Sequence, residues 1–101
     1  MILSKILLVY VATISKPNQA EVYFIRDITA QTVKIGKTGL NNSPQRLKQL
    51  QTGNPNELTL LKTISTKTHA DAFKLEKELH QKYSANHYRG EWFKDIITKD
   101  K

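Results

Sequence analysis

Two runs of β-forming residues, Glu21–Asp27 and Thr32–Gly36, stand only four residues apart. Val22, Tyr23, Phe24 and Ile25 follow one another in the first run, and β-branched and aromatic side chains favour extended chain. So short a connection joins antiparallel neighbours, because a parallel return needs a crossover of a dozen or more residues. With Thr29, Ala30 and Gln31 at the turn, these residues are committed to a hairpin.

Lys37–Asn42 reads as a polar loop. Ser43 as N-cap, Pro44 in the first turn and Gly53 as a stop predict a helix. Asn54-Pro55-Asn56 then breaks the chain. Leu58–Ile64 predicts a third strand, with Leu58 and Leu60 alternating with Thr59 and Leu61. Thr68 and Asp71 have capping-box spacing and open a longer helix over Ala70–Tyr83. Ser84–Arg89 reads as a loop and Gly90–Lys94 as a short closing element. The order β-β-α-β-α with a small tail predicts an α+β fold. Residues 21–95 would form this domain. Residues 1–20 would be an extension carrying an extra strand or short helix at Ile6–Ile14, set off by Lys16-Pro17-Asn18-Gln19, and residues 96–101 a flexible tail.

A chain of 101 residues has room for one domain. Its 39% hydrophobic content supports a modest core and argues against disorder. The absence of cysteine excludes disulfides, thiol nucleophiles and cysteine-ligated zinc. Sixteen Lys and Arg against nine Asp and Glu leave a charge of +7, which suits a polyanionic partner. The apolar run Ile6–Ala12 is far short of the roughly 20 residues that cross a bilayer. No small-residue cleavage pattern follows Ile14, so the expectation is a cytoplasmic or host-cell interior location, without secretion or membrane contact.

On the longer helix, at about 100° per residue, Ala72, Leu75, Leu79 and Tyr83 share one face, with Lys74, Lys77, Glu78 and Gln81 opposite. Glu76 falls within the apolar face, and His80 lies at its border. A carboxylate aimed at a core must be paired, protonated or bound to a metal. Glu76 is therefore either a salt-bridge partner or a ligand for Mg²⁺ or Mn²⁺. His80 is either a satisfied border residue or a proton-transfer group. On the first helix Arg46 leans to the side of Leu47 and Leu50, either snorkelling or clamping a phosphate. No Asp or Glu occurs from Ile28 to Asn56, whereas Lys34, Lys37, Arg46 and Lys48 do, predicting a positive surface. Tyr23, on the neighbouring strand, fits ordinary sheet packing better than a functional role on this pattern alone.

These residues resemble the GIY-YIG nuclease superfamily. The likeness rests on Val22-Tyr23, on Lys34-Ile35-Gly36-Lys37-Thr38, on Arg46-Leu47 and on Glu76. The stretch Arg46-Leu47-Lys48-Gln49-Leu50-Gln51-Thr52-Gly53-Asn54-Pro55, with Gly90-Glu91-Trp92-Phe93, is similar to the small branch found in phages and large DNA viruses. The resemblance implies a small three-stranded antiparallel sheet flanked by helices, and metal-dependent hydrolysis of DNA phosphodiesters with one Mg²⁺ or Mn²⁺ and no small-molecule cofactor. It implies Tyr23 as the tyrosine of the first motif and Lys37 as the basic residue after the second. It implies Arg46 as the phosphate contact and Glu76 as the metal ligand. Lys34, Lys37, Arg46 and Lys48 would touch DNA.

Three positions depart from the pattern. Glu21 stands at the first motif's glycine, Lys34 at the second motif's tyrosine and Leu50 one turn after the helix arginine. The general base then falls to Tyr23, Lys34, Lys37 or His80. The leading expectation is a metal-dependent endonuclease of low sequence specificity. The alternative is a catalytically inactive DNA-binding module of the same fold, or a component of a larger nuclease assembly. Trp92 and Phe93 are expected to pack on the sheet, and Glu91 to cap or to pair with a basic residue.

Overall fold

The computed structural model describes residues 19–94 and residue 96. In chain order the elements are β1 (Ala20–Asp27), β2 (Thr32–Gly39), α1 (Ser43–Gln51), β3 (Leu58–Thr66) and α2 (His69–Lys82). A 3-10 turn at Ser84–Asn86 then leads into β4 (His87–Arg89) and β5 (Trp92–Lys94). The strands form one sheet in the order β3-β1-β2-β5-β4, every described pairing antiparallel. The α+β class and the helix-flanked antiparallel sheet are as expected, but the sheet has five strands, not three. Residues 87–94 form a hairpin that joins the edge of β2. Its strands are three residues each, too short to show a hydrophobic period. The expected extension at Ile6–Ile14 lies outside the described residues, as do residues 97–101.

The β1–β2 hairpin turns where the sequence requires. The Asp27 side chain accepts from the Ala30 backbone N–H at 2.9 Å, and Gln31 takes a positive φ of 56°. β2 continues past Gly36 to Gly39, because Glu21 and Ala20 of β1 supply register partners for Thr38 and Gly39.

The two faces of the sheet carry separate cores. Val22, Phe24, Val33 and Ile35 face α2 and pack with Ala72, Phe93 and Ile96. Ile96, assigned by sequence to the tail, is thus buried in this core. Tyr23, Ile25 and Leu58 face the other way and pack with Leu47 and Leu50 of α1 and with Trp92. Trp92 and Phe93, adjacent in β5, therefore serve opposite cores, as alternation along a strand dictates.

β3 feeds both. Ile25 pairs with Leu60, whereas Phe24 pairs with Lys62, so Leu61 is left over as a bulge. One extra residue reverses the side-chain alternation beyond it. Leu58 and Leu60 therefore pack on the α1 side and Ile64 on the α2 side, although all three are even-numbered.

Candidate functional site

α1 is positioned from outside itself. Asn42, and not Ser43 as expected, occupies the N-cap; it makes no side-chain cap hydrogen bond, and no acidic residue lies in the first turn. The capping acceptor is Glu21 of β1. Its carboxylate accepts from the backbone N–H of Asn41 at 3.0 Å, from that of Ser43 at 3.1 Å and from the Ser43 hydroxyl. Glu21 is 3% exposed and Ser43 fully buried. A carboxylate at a helix N-terminus satisfies orphan donors and meets the positive end of the dipole. The residue at the first motif's glycine position is therefore the cap of the helix that bears Arg46. Sequence reasoning missed this role; its one signal was an acidic residue at the head of an apolar strand.

The other end of α1 is held by Gln51. Its amide nitrogen donates to the carbonyls of Asn54 and Asn56 at 3.2 and 2.8 Å, and its oxygen accepts from Leu58 N–H at 2.9 Å. One side chain thus shapes the Thr52–Asn56 loop into β3, where Gly53 supplies a φ of 79°.

Arg46 is half-buried. A terminal nitrogen donates to Gln49 at 3.0 Å, and its Nε is buried without a hydrogen-bond partner. A guanidinium held in this way retains donors for an anion. Lys48 of the same helix is exposed.

Tyr23 lies on the α1 side of the sheet, directly opposite Gly36 of β2. A Cβ on Gly36 would fall inside the Tyr23 ring, against its Cζ and hydroxyl. Only glycine lets the phenol lie over β2 here.

Glu76, on α2, is 9% exposed. It has no hydrogen bond or ion pair among the described residues. Burial raises its carboxyl above the usual range, Glu91 adds to the rise, and His80, Lys37 and Lys34 oppose it. Four charged or titratable groups from three parts of the chain thus act on one buried carboxylate. Glu91 pairs with Lys34 at 2.8 Å, and the Lys34 ammonium lies 5.9 Å from the Trp92 ring centroid. The sequence reading anticipated a basic partner for Glu91 without specifying Lys34. His80 Nε2 lies 2.9 Å from the Ile35 carbonyl, and its ring tilts against Phe93 at 5.0 Å. A carbonyl only accepts, so Nε2 carries a proton toward Ile35 and leaves Nδ1 as the other ring nitrogen.

These groups lie along the outer edge of β2. β5 pairs only with Thr32–Lys34, and Ile35 N–H donates to the Glu91 carbonyl at 3.0 Å. From Gly36 to Gly39 that edge has no strand partner among the described residues. Register puts Lys34 and Tyr23 on the α1 face and Lys37 on the α2 face. Glu76 feels both lysines. Arg46 and Glu76 belong to helices on opposite faces, and no direct contact joins them among the described residues.

A model of the T5orf172 domain family matches residues 8–100. No curated protein and no solved structure matches the chain. No helix of the described residues is long and apolar enough to cross a membrane.

Proposed function

The chain belongs to the T5orf172 domain family, a phage-associated family related to GIY-YIG- and HNH-type nucleases, and on that footing we propose that it is a metal-dependent endonuclease of GIY-YIG type. It would hydrolyse DNA phosphodiesters with low intrinsic sequence specificity. The observation that carries the proposal is the Glu76 carboxylate, buried, unpartnered among the described residues and acted on by Lys34 and Lys37.

An isolated buried carboxylate is costly, and a hard divalent cation relieves that cost. Among the described residues no group of three or more His, Cys, Asp or Glu side chains is placed to hold a metal ion. Glu76 fits Mg²⁺ or Mn²⁺ as a single protein ligand, with water and phosphate oxygens completing the shell. When bound, such an ion would stabilise charge developing on the phosphoryl oxygens.

The chain's own residues do the rest. Arg46, with donors unspent, would neutralise the phosphate under attack where that phosphate bridges the two faces, past the edge of β2 that β5 leaves open. Lys34, Lys37 and Lys48 hold the DNA backbone by charge. A base takes a proton from water, the water oxygen bonds to phosphorus, and the 3′ oxygen leaves with the bonding pair and is protonated. Of the four base candidates, Lys34 is the least suited, because its amine already donates to Glu91. The Tyr23 hydroxyl and His80 Nδ1 have no hydrogen bond among the described residues.

Supercoiled plasmid incubated with the protein and Mg²⁺ or Mn²⁺ is expected to be nicked. Arg46→Ala and Glu76→Ala, shown by circular dichroism to fold, should each be slower by about 100-fold or more. Plasmid left intact by the wild type with both ions overturns the proposal. The Lys34–Glu91 pair favours a second reading, a DNA-binding module without chemistry, since it occupies the position of the second motif's tyrosine. That reading requires salt-sensitive binding without metal, unchanged by Glu76→Ala.

A further inference from the structure

We propose that the pocket between the α1–β3 loop and the β4–β5 hairpin holds one unpaired nucleobase of the DNA strand. The proposal rests on the reading above that the protein binds DNA and that Lys34 and Arg46 are among the groups that hold its backbone. The cavity measures about 240 Å³, and its walls include Trp92, Tyr88, Arg89, Thr32, Asn54 and Asp27. That is below the roughly 300–1,000 Å³ of pockets for drug-sized ligands and suits a single ring system.

The wall chemistry is that of base recognition. Two aromatic rings and a guanidinium line one small space, and unpaired bases are held by stacking on such groups. Tyr88 is 56% exposed, a large aromatic kept in water, with the Lys94 ammonium 4.9 Å from its ring centroid. Polar groups for the edge of a base are present. The Asn54 oxygen accepts from Asn56 N–H at 2.9 Å, and its amide nitrogen has no partner among the described residues. The same holds for the Thr32 hydroxyl and the Arg89 guanidinium. Asp27 is already bonded to Ala30 N–H and to the Asn56 amide, each at 2.9 Å, and would repel a phosphate. A flat heterocycle therefore fits this pocket better than an anion.

Its place in the fold fits a DNA strand. Trp92 is the register partner of Lys34, and the Lys34 ammonium lies beside its ring. Thr32 precedes Lys34 by two residues on the same face, about 7 Å along the strand. A phosphate bound at Lys34 brings the adjoining base within reach of the pocket.

Trp92 is the only tryptophan, so its fluorescence reports on the wall it shares between Lys34 and this pocket, and the abasic strand supplies the reference for binding at Lys34. The full-length protein is titrated in EDTA with two six-residue deoxyribose phosphate strands, one fully abasic and one carrying a single thymine. The thymine strand should quench Trp92 and bind about tenfold tighter, the equivalent of 1.4 kcal/mol and within the range for one stacked base. Tyr88→Ala, at an exposed position, should abolish most of that difference and leave affinity for the abasic strand unchanged. Equal binding of both strands by the wild type overturns the pocket, and nicking of plasmid with Mg²⁺ would then leave the nuclease reading standing. If Tyr88→Ala weakens both strands alike, the pocket is likewise overturned. Failure of both strands to bind at low salt overturns the DNA reading and the pocket with it.

Discussion

Replacing Glu21 by alanine tests whether a strand residue caps α1. The substitution removes the acceptor for Ser43 N–H, the Ser43 hydroxyl and Asn41 N–H. Ser43 is fully buried, so water does not readily replace the lost partner. Two buried donors at about 1–3 kcal/mol each give roughly 2–6 kcal/mol. Losing the carboxylate also removes its own desolvation cost, which brings the expected net loss to about 2–4 kcal/mol. For a domain of this size each kcal/mol lowers Tm by roughly 4–8 °C, so a drop on the order of 10–30 °C is expected. Thermal melts followed by circular dichroism measure it, with urea melts as a second readout. Glu21→Gln keeps one acceptor oxygen and should fall between the two. Ser43→Ala should cost less in the Glu21→Ala background than in the wild type, because the two share one network. A loss under about 0.5 kcal/mol for Glu21→Ala, the size of an ordinary surface change, would refute the capping argument.

Three further outcomes follow from the same geometry. Glu76→Gln should stabilise the protein at neutral pH while abolishing nicking. The folded carboxyl titrates above its ordinary 4.5, so between the two values the folded state binds more protons, and stability falls as pH rises. The gain should therefore vanish below pH 4.5, and a pH series of urea melts that shows a constant gain removes the basis of the argument. Gly36→Ala should cost about 1–3 kcal/mol or more by driving a methyl into the Tyr23 ring, measured as a lowered melting midpoint. Lys34→Ala should change stability by less than about 1 kcal/mol, since Glu91 is 41% exposed. If Lys34 contacts phosphate, that variant should also reduce the slope of log affinity against log salt by about one; an unchanged slope excludes the contact.

Local chemistry made much of the fold legible. Four residues between two β-forming runs dictated the first hairpin, and Thr68 caps α2 by accepting from Asp71 N–H at 3.0 Å. Glu76 was visible as a carboxylate on an apolar helical stripe, and its burial bears that out. What escaped notice depends on partners distant in the chain. Lys37-Thr38-Gly39 looks like a loop until Ala20, Glu21 and Val22 are there to pair with it. His87, Tyr88 and Arg89 are all exposed, so no hydrophobic period announces β4. The Leu61 bulge breaks the alternation that a strand reading assumes. Glu21 and Ser43 are 22 positions apart, and no local pattern links a strand carboxylate to a helix start.

The bulge also has a mechanical consequence. Leu58 and Leu60 are fastened to one apolar layer and Ile64 to the other, so one short strand rivets both halves together. Deleting Leu61 would restore simple alternation: Leu60 would still pair with Ile25 and Lys62 with Phe24, so Leu58, Leu60 and Ile64 would keep their layers without the bulge.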